Sequence, residues 1–122
     1  MDPQVIVINL GTNDFSTPLK AGERWKDEAA LKADYRNRYI DFVSGLRKVH
    51  PNARFILLGP DLFYAELQKV AAVLNKGAAT PVATVQIAGM DLQACDWHPS
   101  LADHQLMAGL VDKEIRRLGV WN

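Results

Sequence analysis

The sequence predicts an α/β domain built around a parallel sheet. Three observations lead there: short apolar runs with strand character, longer amphipathic segments between and after them, and short connections that make the two kinds alternate. Strands separated by helices pair in parallel through right-handed crossovers. No internal repeat, low-complexity tract or interdomain linker divides the 122 residues, a length that suits one small core.

The first strand is read from Val5-Ile6-Val7-Ile8-Asn9-Leu10, a β-branched apolar run ended by Gly11, and its composition suits a strand covered on both faces. Residues 18–30 are charged and irregular, broken by Pro18 and Gly22, and read as a loop or short helix. A helix follows from Asp34 to Val49, with Tyr35, Tyr39, Phe42, Val43, Leu46 and Val49 on one stripe. Pro51-Asn52 stops it, and Arg54-Phe55-Ile56-Leu57-Leu58 forms the second strand, ended by Gly59-Pro60. A helix over Leu62 to Asn75, with Gly77 as its stop, leads to a third strand from Val82 to Ala88. The last helix starts at Ser100 as N-cap and carries Leu106, Met107, Leu110, Val111, Ile115 and Leu118 inward.

Composition removes several function classes. Hydrophobic residues make up 48% of the chain, which argues against disorder. Fourteen basic residues balance fourteen acidic ones, so charge offers no reason to expect a nucleic acid or an anionic membrane as partner. No apolar run approaches the ~20 residues that span a bilayer. No signal segment is read in this chain: Met1-Asp2-Pro3-Gln4 enters the first strand without a basic and apolar leader, and the location of any parent protein stays open. Cys95, the single cysteine, can make neither an internal disulfide nor a metal cluster, and His98 and His104 are poorly spaced as ligands. No metal and no cofactor are expected, and no Gly-rich phosphate loop follows a strand.

Ligands of open parallel sheets bind beyond the carboxyl ends of the strands. Gly11-Thr12-Asn13-Asp14 follows the first strand, Gly59-Pro60-Asp61 the second, and Cys95-Asp96-Trp97-His98-Pro99-Ser100 the loop after the third. All three should face one edge. His98, with Asp96 two residues before it, has the makings of a general base with an orienting carboxylate, and Asn13 of an oxyanion donor. Plainer roles stand beside these: an Asx-turn for Asn13, a helix-entry carboxylate for Asp96, loop stabilisation for Asp14, packing for Trp97 and surface positions for His50 and His104.

Val7-Ile8-Asn9-Leu10-Gly11-Thr12-Asn13-Asp14-Phe15-Ser16 resembles the G-x-N-D block of the SGNH (GDSL-like) hydrolases. Asp96-Trp97-His98-Pro99-Ser100, followed by Ala102-Asp103-His104-Gln105, resembles their C-terminal histidine block, and the nearest subfamily is carbohydrate esterase family 2, the acetyl xylan esterases. The resemblance implies a three-layer α/β/α flavodoxin-like fold lacking its N-terminal strands, so that residues 1–122 form the C-terminal part of one SGNH domain. It implies Asn13 as oxyanion donor, His98 as general base, and Asp96 or a main-chain carbonyl as orienter, since the common D-x-x-H spacing falls on Cys95. Trp97 and Asp14 become substrate-binding candidates, and the substrate an acetylated carbohydrate or other small ester.

The nucleophile block of that family has no counterpart here. Ser16, Ser44 and Ser100 are the only serines, and none follows a first strand on a tight turn. Alone, the chain is expected to be inactive or nearly so. A lipase-like relative of the same machinery and a non-catalytic α/β module are the alternative readings. The apolar strand at 5–10, bare on its outer edge, is expected to favour a homodimer.

Overall fold

The structure, a computed structural model, describes residues 2–121. Three strands, β1 (Val5–Ile8), β2 (Arg54–Pro60) and β3 (Ala83–Ile87), form a parallel sheet in the order β1-β2-β3. Val5 pairs with Arg54 and Ile8 with Leu57, while Ile56 pairs with Ala83 and Pro60 with Ile87. Helix α1 (Thr12–Phe15) is a single turn after β1, α2 (Glu28–Val49) and α3 (Tyr64–Asn75) are the crossovers, and α4 (Leu101–Arg117) closes the chain. A short 3₁₀ turn, Cys95–Trp97, interrupts the long loop between β3 and α4.

Residue spacing explains the layers. Leu31, Tyr35, Tyr39 and Val43 recur every fourth position and bury one face of α2, while Leu67, Val70, Ala71 and Leu74 bury one face of α3. Both meet Ile8, Phe55 and Leu57 on one side of the sheet. Alternation then sends Ile56 and Leu58 to the opposite side, with Val85, Ile87 and α4's Ile115. The result is the expected α/β/α arrangement. Central β2 is buried on both faces, from Phe55 through Gly59.

Across the α2–α3 seam, buried Glu66 pairs with Arg36 and with Lys69. Its burial alone would raise the carboxyl's pKa, but hydrogen bonds from Lys69 and Arg36 and their charges hold it below its usual range. At the start of β3, Asn75 both donates to the Val82 carbonyl and accepts from the Val82 N–H, which ties the end of α3 to the strand it precedes.

Several sequence expectations are corrected. β1 ends at Ile8 and is an edge strand, not one covered on both faces: Val7 is 42% and Leu10 53% exposed. Helix α2 begins at Glu28, two turns before Asp34, because Asp27 caps it by accepting from the Ala30 N–H at 2.8 Å. Phe42 and Val49 lie on the exposed flank of α2 rather than in its buried stripe. His50, expected on the surface, caps the C-terminal end of α2 and is half-buried.

Candidate active site

The chain reaches the carboxyl edge of the sheet in two segments that carry the candidate residues. The first leaves β1. Gly11 has φ of +133°, and a Cβ there would stand 2.7 Å from the Phe63 ring and 2.9 Å from the Tyr35 hydroxyl. Only glycine allows the backbone to turn this close to both rings. The Tyr35 hydroxyl donates to the Leu10 carbonyl at 3.1 Å. At the end of the turn, Phe15 stacks on Phe63 at 5.5 Å and meets Tyr35 edge-on at 4.9 Å. Asn13 and Asp14 therefore sit exposed on a single helical turn whose two ends are pinned to the aromatic core. Burial pushes the Tyr35 phenol up, as do Tyr39, Asp14 and Glu66, so it stays a neutral donor.

The second segment connects β3 to α4. His98 is exposed, and its Nδ1 lies 2.8 Å from the main-chain carbonyl oxygen of Cys95. A carbonyl only accepts, so Nδ1 carries the proton in this contact and the neutral ring leaves Nε2 as acceptor. Asp96 has a left-handed backbone (φ +54°) and an exposed side chain; among the described residues its carboxylate accepts no hydrogen bond from His98. Of the two orienters the spacing allowed, the ring's partner is the carbonyl. Trp97 follows with φ of +58° and is 80% exposed, its indole lying open on the surface.

Strand order places β1 and β3, from which these segments leave, two strands apart, about 10 Å at the usual spacing of neighbouring strands. The loop and α4 return the chain toward β1: Val7 and Asn9 of the first segment line a groove with Met107, Val111 and Ile115 of α4. Asp14 lines a shallow hollow with Leu10, Tyr35, Arg38, Tyr39 and Phe42. A cavity of about 470 Å³ opens beyond α1 between Phe15, Ser16, Leu19 and Asp27, and no residue of the His98 loop lines it. Ser16 is the C-cap of α1, Ser44 lies within α2, and the Ser100 hydroxyl accepts from the Asp103 N–H as N-cap of α4. Among the described residues no group of three His, Cys, Asp or Glu side chains is placed to hold a metal, and no helix is long and apolar enough to cross a membrane.

Asp103 is the residue that sequence reasoning passed over. Its carboxylate is 2% exposed and accepts from the N–H groups of Asp91, Leu92 and Ser100 at 2.8, 2.9 and 2.9 Å. The signal was present as Ser100-x-x-Asp103, a capping box.

No protein-family model matches the chain. It is 44% identical over 124 residues to an acetylxylan esterase/glucomannan deacetylase of Cellvibrio japonicus, an alignment covering 98% of this chain and 34% of that protein. A solved carbohydrate esterase, described as having an active site with divergent catalytic and non-catalytic binding functions, superposes with a TM-score of 0.89 at 42% identity. That match covers 95% of this chain and 38% of the solved one. A family 2 carbohydrate esterase of Corynascus thermopiles superposes at 0.73 with 26% identity, covering 98% of this chain and 38% of that one.

The chain is homologous to part of the carbohydrate esterase family 2 enzymes. It spans about a third of the Cellvibrio enzyme and 15% of a cellulase/esterase from Acetivibrio thermocellus, to which it is 35% identical over 130 residues. The α/β/α arrangement and its parallel sheet match those of the family 2 structures over that portion.

Proposed function

We propose that this chain supplies the general base and an oxyanion donor of a serine esterase that removes O-acetyl groups from carbohydrate, as the C-terminal part of a single SGNH domain. The observation that carries the reading is the His98 imidazole, held by the Cys95 carbonyl at 2.8 Å on the carboxyl side of a parallel sheet, in a chain 44% identical to an acetylxylan esterase.

The chemistry follows from what each group can do. With Nδ1–H engaged by the Cys95 carbonyl, His98 Nε2 takes the proton of an attacking serine and returns it to the leaving sugar hydroxyl. The Asn13 amide donates to the oxygen that becomes negative in the tetrahedral intermediate, a contribution of roughly 10²–10³ in rate for one such donor. Asp96 adds negative charge near the imidazolium without orienting it. Trp97 offers an exposed aromatic face to a sugar ring, and Asp14 a polar contact at the same edge.

Ser16, Ser44 and Ser100 occupy a helix cap, a helix interior and a capping box. None is a nucleophile for His98 in this reading, and the chain alone is inactive. The test is hydrolysis of p-nitrophenyl acetate by the chain and by His98→Ala, with intact mass after a serine-directed phosphonate. Equal background rates and no adduct fit the proposal. His98-dependent turnover with an adduct on one of these serines contradicts it. The exposed outer edge of β1, with Val7 and Leu10 at its surface, supports self-pairing of two copies. A clean monomer by light scattering at high concentration would remove that part.

A further inference from the structure

We propose that Asp103 is the positioning residue for His98: its carboxylate ties together the two ends of the segment from Asp91 to Ser100 and thereby sets the direction of the imidazole. The inference deepens the reading of His98 as general base and rests on it.

Three features of that segment require such a tie. First, its backbone carries three non-glycine residues in the left-handed region, Leu92 (φ +53°), Asp96 (φ +54°) and Trp97 (φ +58°). Each costs about 1–2 kcal/mol relative to right-handed backbone, least for aspartate. Second, the hydrogen bonds inside the segment are local: Gln93 N–H to the Asp91 carboxylate, Ala94 N–H to the His98 carbonyl and His98 N–H to the Cys95 carbonyl. None of its residues is fully buried. Third, three backbone N–H groups from the two ends of the segment converge on one side chain of the following helix: Oδ1 of Asp103 accepts from Asp91, and Oδ2 accepts from both Leu92 and Ser100.

Asp103 is itself buried and anchored. It stands in the first turn of α4, where negative charge is favoured, and its own N–H donates to the Ser100 hydroxyl at 3.1 Å. Burial alone would raise its pKa, but the N–H groups of Ser100, Asp91 and Leu92 outweigh this, helped by the Asp91 side chain, and hold it at about 2. The tie is therefore ionised at neutral pH.

The consequence for His98 is geometric. The Cys95 carbonyl can orient the ring only while the left-handed turn Cys95–Trp97 persists, and the Asp91–Ser100 segment that carries this turn is tied at both ends to Asp103. An amide in place of the carboxylate presents an NH₂ to at least one of the three N–H donors, so Asp103→Asn cannot keep all three bonds.

The test is long-range ¹H–¹⁵N correlation NMR of the histidines in the ¹⁵N-labelled chain, across pH 5–9, for the parent, Asp103→Asn and Ser100→Ala. Ser100→Ala removes the hydroxyl of the helix cap but keeps all three bonds to the carboxylate. The parent and Ser100→Ala should show His98 protonated at Nδ1 in the neutral form. Asp103→Asn should show the exchange-averaged pattern of a free imidazole, with helical circular dichroism retained. If Asp103→Asn does not fold, Asp103→Glu serves instead: it keeps the charge, sets the carboxylate one methylene further out, and should also lose the fixed tautomer. A parent-like His98 in a folded Asp103 variant overturns the proposal, and so does its loss in Ser100→Ala, which would assign the effect to helix capping. These outcomes are read without turnover, so they separate a failure of Asp103 as positioner from a failure of His98 as base.

Discussion

Replacing Gly11 by alanine tests the packing that holds the Asn13 turn against the core. The added Cβ would stand 2.7 and 2.8 Å from two carbons of the Phe63 ring and 2.9 Å from the Tyr35 hydroxyl, where about 3.5–4.0 Å is the normal carbon–carbon separation. Neither neighbour can step aside. Phe63 is 2% exposed and lies between Phe15 and Tyr35, and Tyr35 is held by its bond to the Leu10 carbonyl. Overpacking of this kind costs about 1–3 kcal/mol. The backbone adds a second charge, because φ of +133° is rarely open to an L-residue and such strain costs of order 1–3 kcal/mol. Together they give about 2–6 kcal/mol out of the roughly 5–15 kcal/mol that hold a domain of this kind together. With a urea slope of about 1–3 kcal/mol/M, the unfolding midpoint should fall by at least about 0.7 M. The assay is urea denaturation followed by circular dichroism, parent against Gly11→Ala. A loss below about 1 kcal/mol would refute the reasoning, since it would mean that the turn does not approach the two rings as described.

Four further outcomes follow from the same contacts. Tyr35→Phe removes the bond to the Leu10 carbonyl and should cost about 0.5–1.5 kcal/mol in urea denaturation; an unchanged midpoint would count against that bond. Asp27→Ala uncaps α2 and should cost about 1 kcal/mol, read in the same way; no loss would place the helix start nearer Asp34. Phe63→Ala empties the centre of the larger core cluster and should cost about 3–5 kcal/mol, which a fall in thermal midpoint would register. Glu66→Gln has a pH signature: a carboxyl held below its usual range stabilises fully above about 4.5 and loses that contribution as pH falls through its folded value. The difference between parent and Glu66→Gln should therefore be constant from pH 6 to 8 and shrink toward pH 3; a difference that grows in acid would reverse the assigned sign.

Much of this architecture is legible from local pattern. The β2 run Phe55-Ile56-Leu57-Leu58 is apolar at every position and proves buried on both faces, and Ser100 caps α4 as its residue type suggests. The departures have physical causes. Val7 is as apolar as its neighbours in β1, but its exposure depends on which strand stands beside it, which composition does not encode. The start of α2 is hard to read because its first two turns hold a single large apolar residue, Leu31, among charged residues and alanines, and only the Asp27 cap marks them. Phe42 and Val49 continue the helical spacing of Tyr35 and Tyr39, yet the stripe that packs is narrower than the stripe that is apolar.

The site divides in the same way. Asn13 and His98 stood out through short motifs, and both segments leave the carboxyl side of the sheet. Their support did not stand out, because it is long-range: Tyr35 reaches back 25 residues to Leu10, and Asp103 collects N–H groups up to 12 residues away. The partner of the His98 ring was beyond spacing arguments, since left-handed backbone at Asp96 and Trp97 turns a carbonyl toward the imidazole where a carboxylate was the alternative.

The central claim is that His98 serves as the base of a family 2 esterase site. Its most direct test is acetate release from acetylated xylan by a folded chimera in which this chain replaces the matching third of the Cellvibrio japonicus enzyme, with and without His98→Ala. The account predicts a chimera that deacetylates xylan and a variant slower by about 10²–10⁴. An active chimera that His98→Ala leaves undiminished would contradict it.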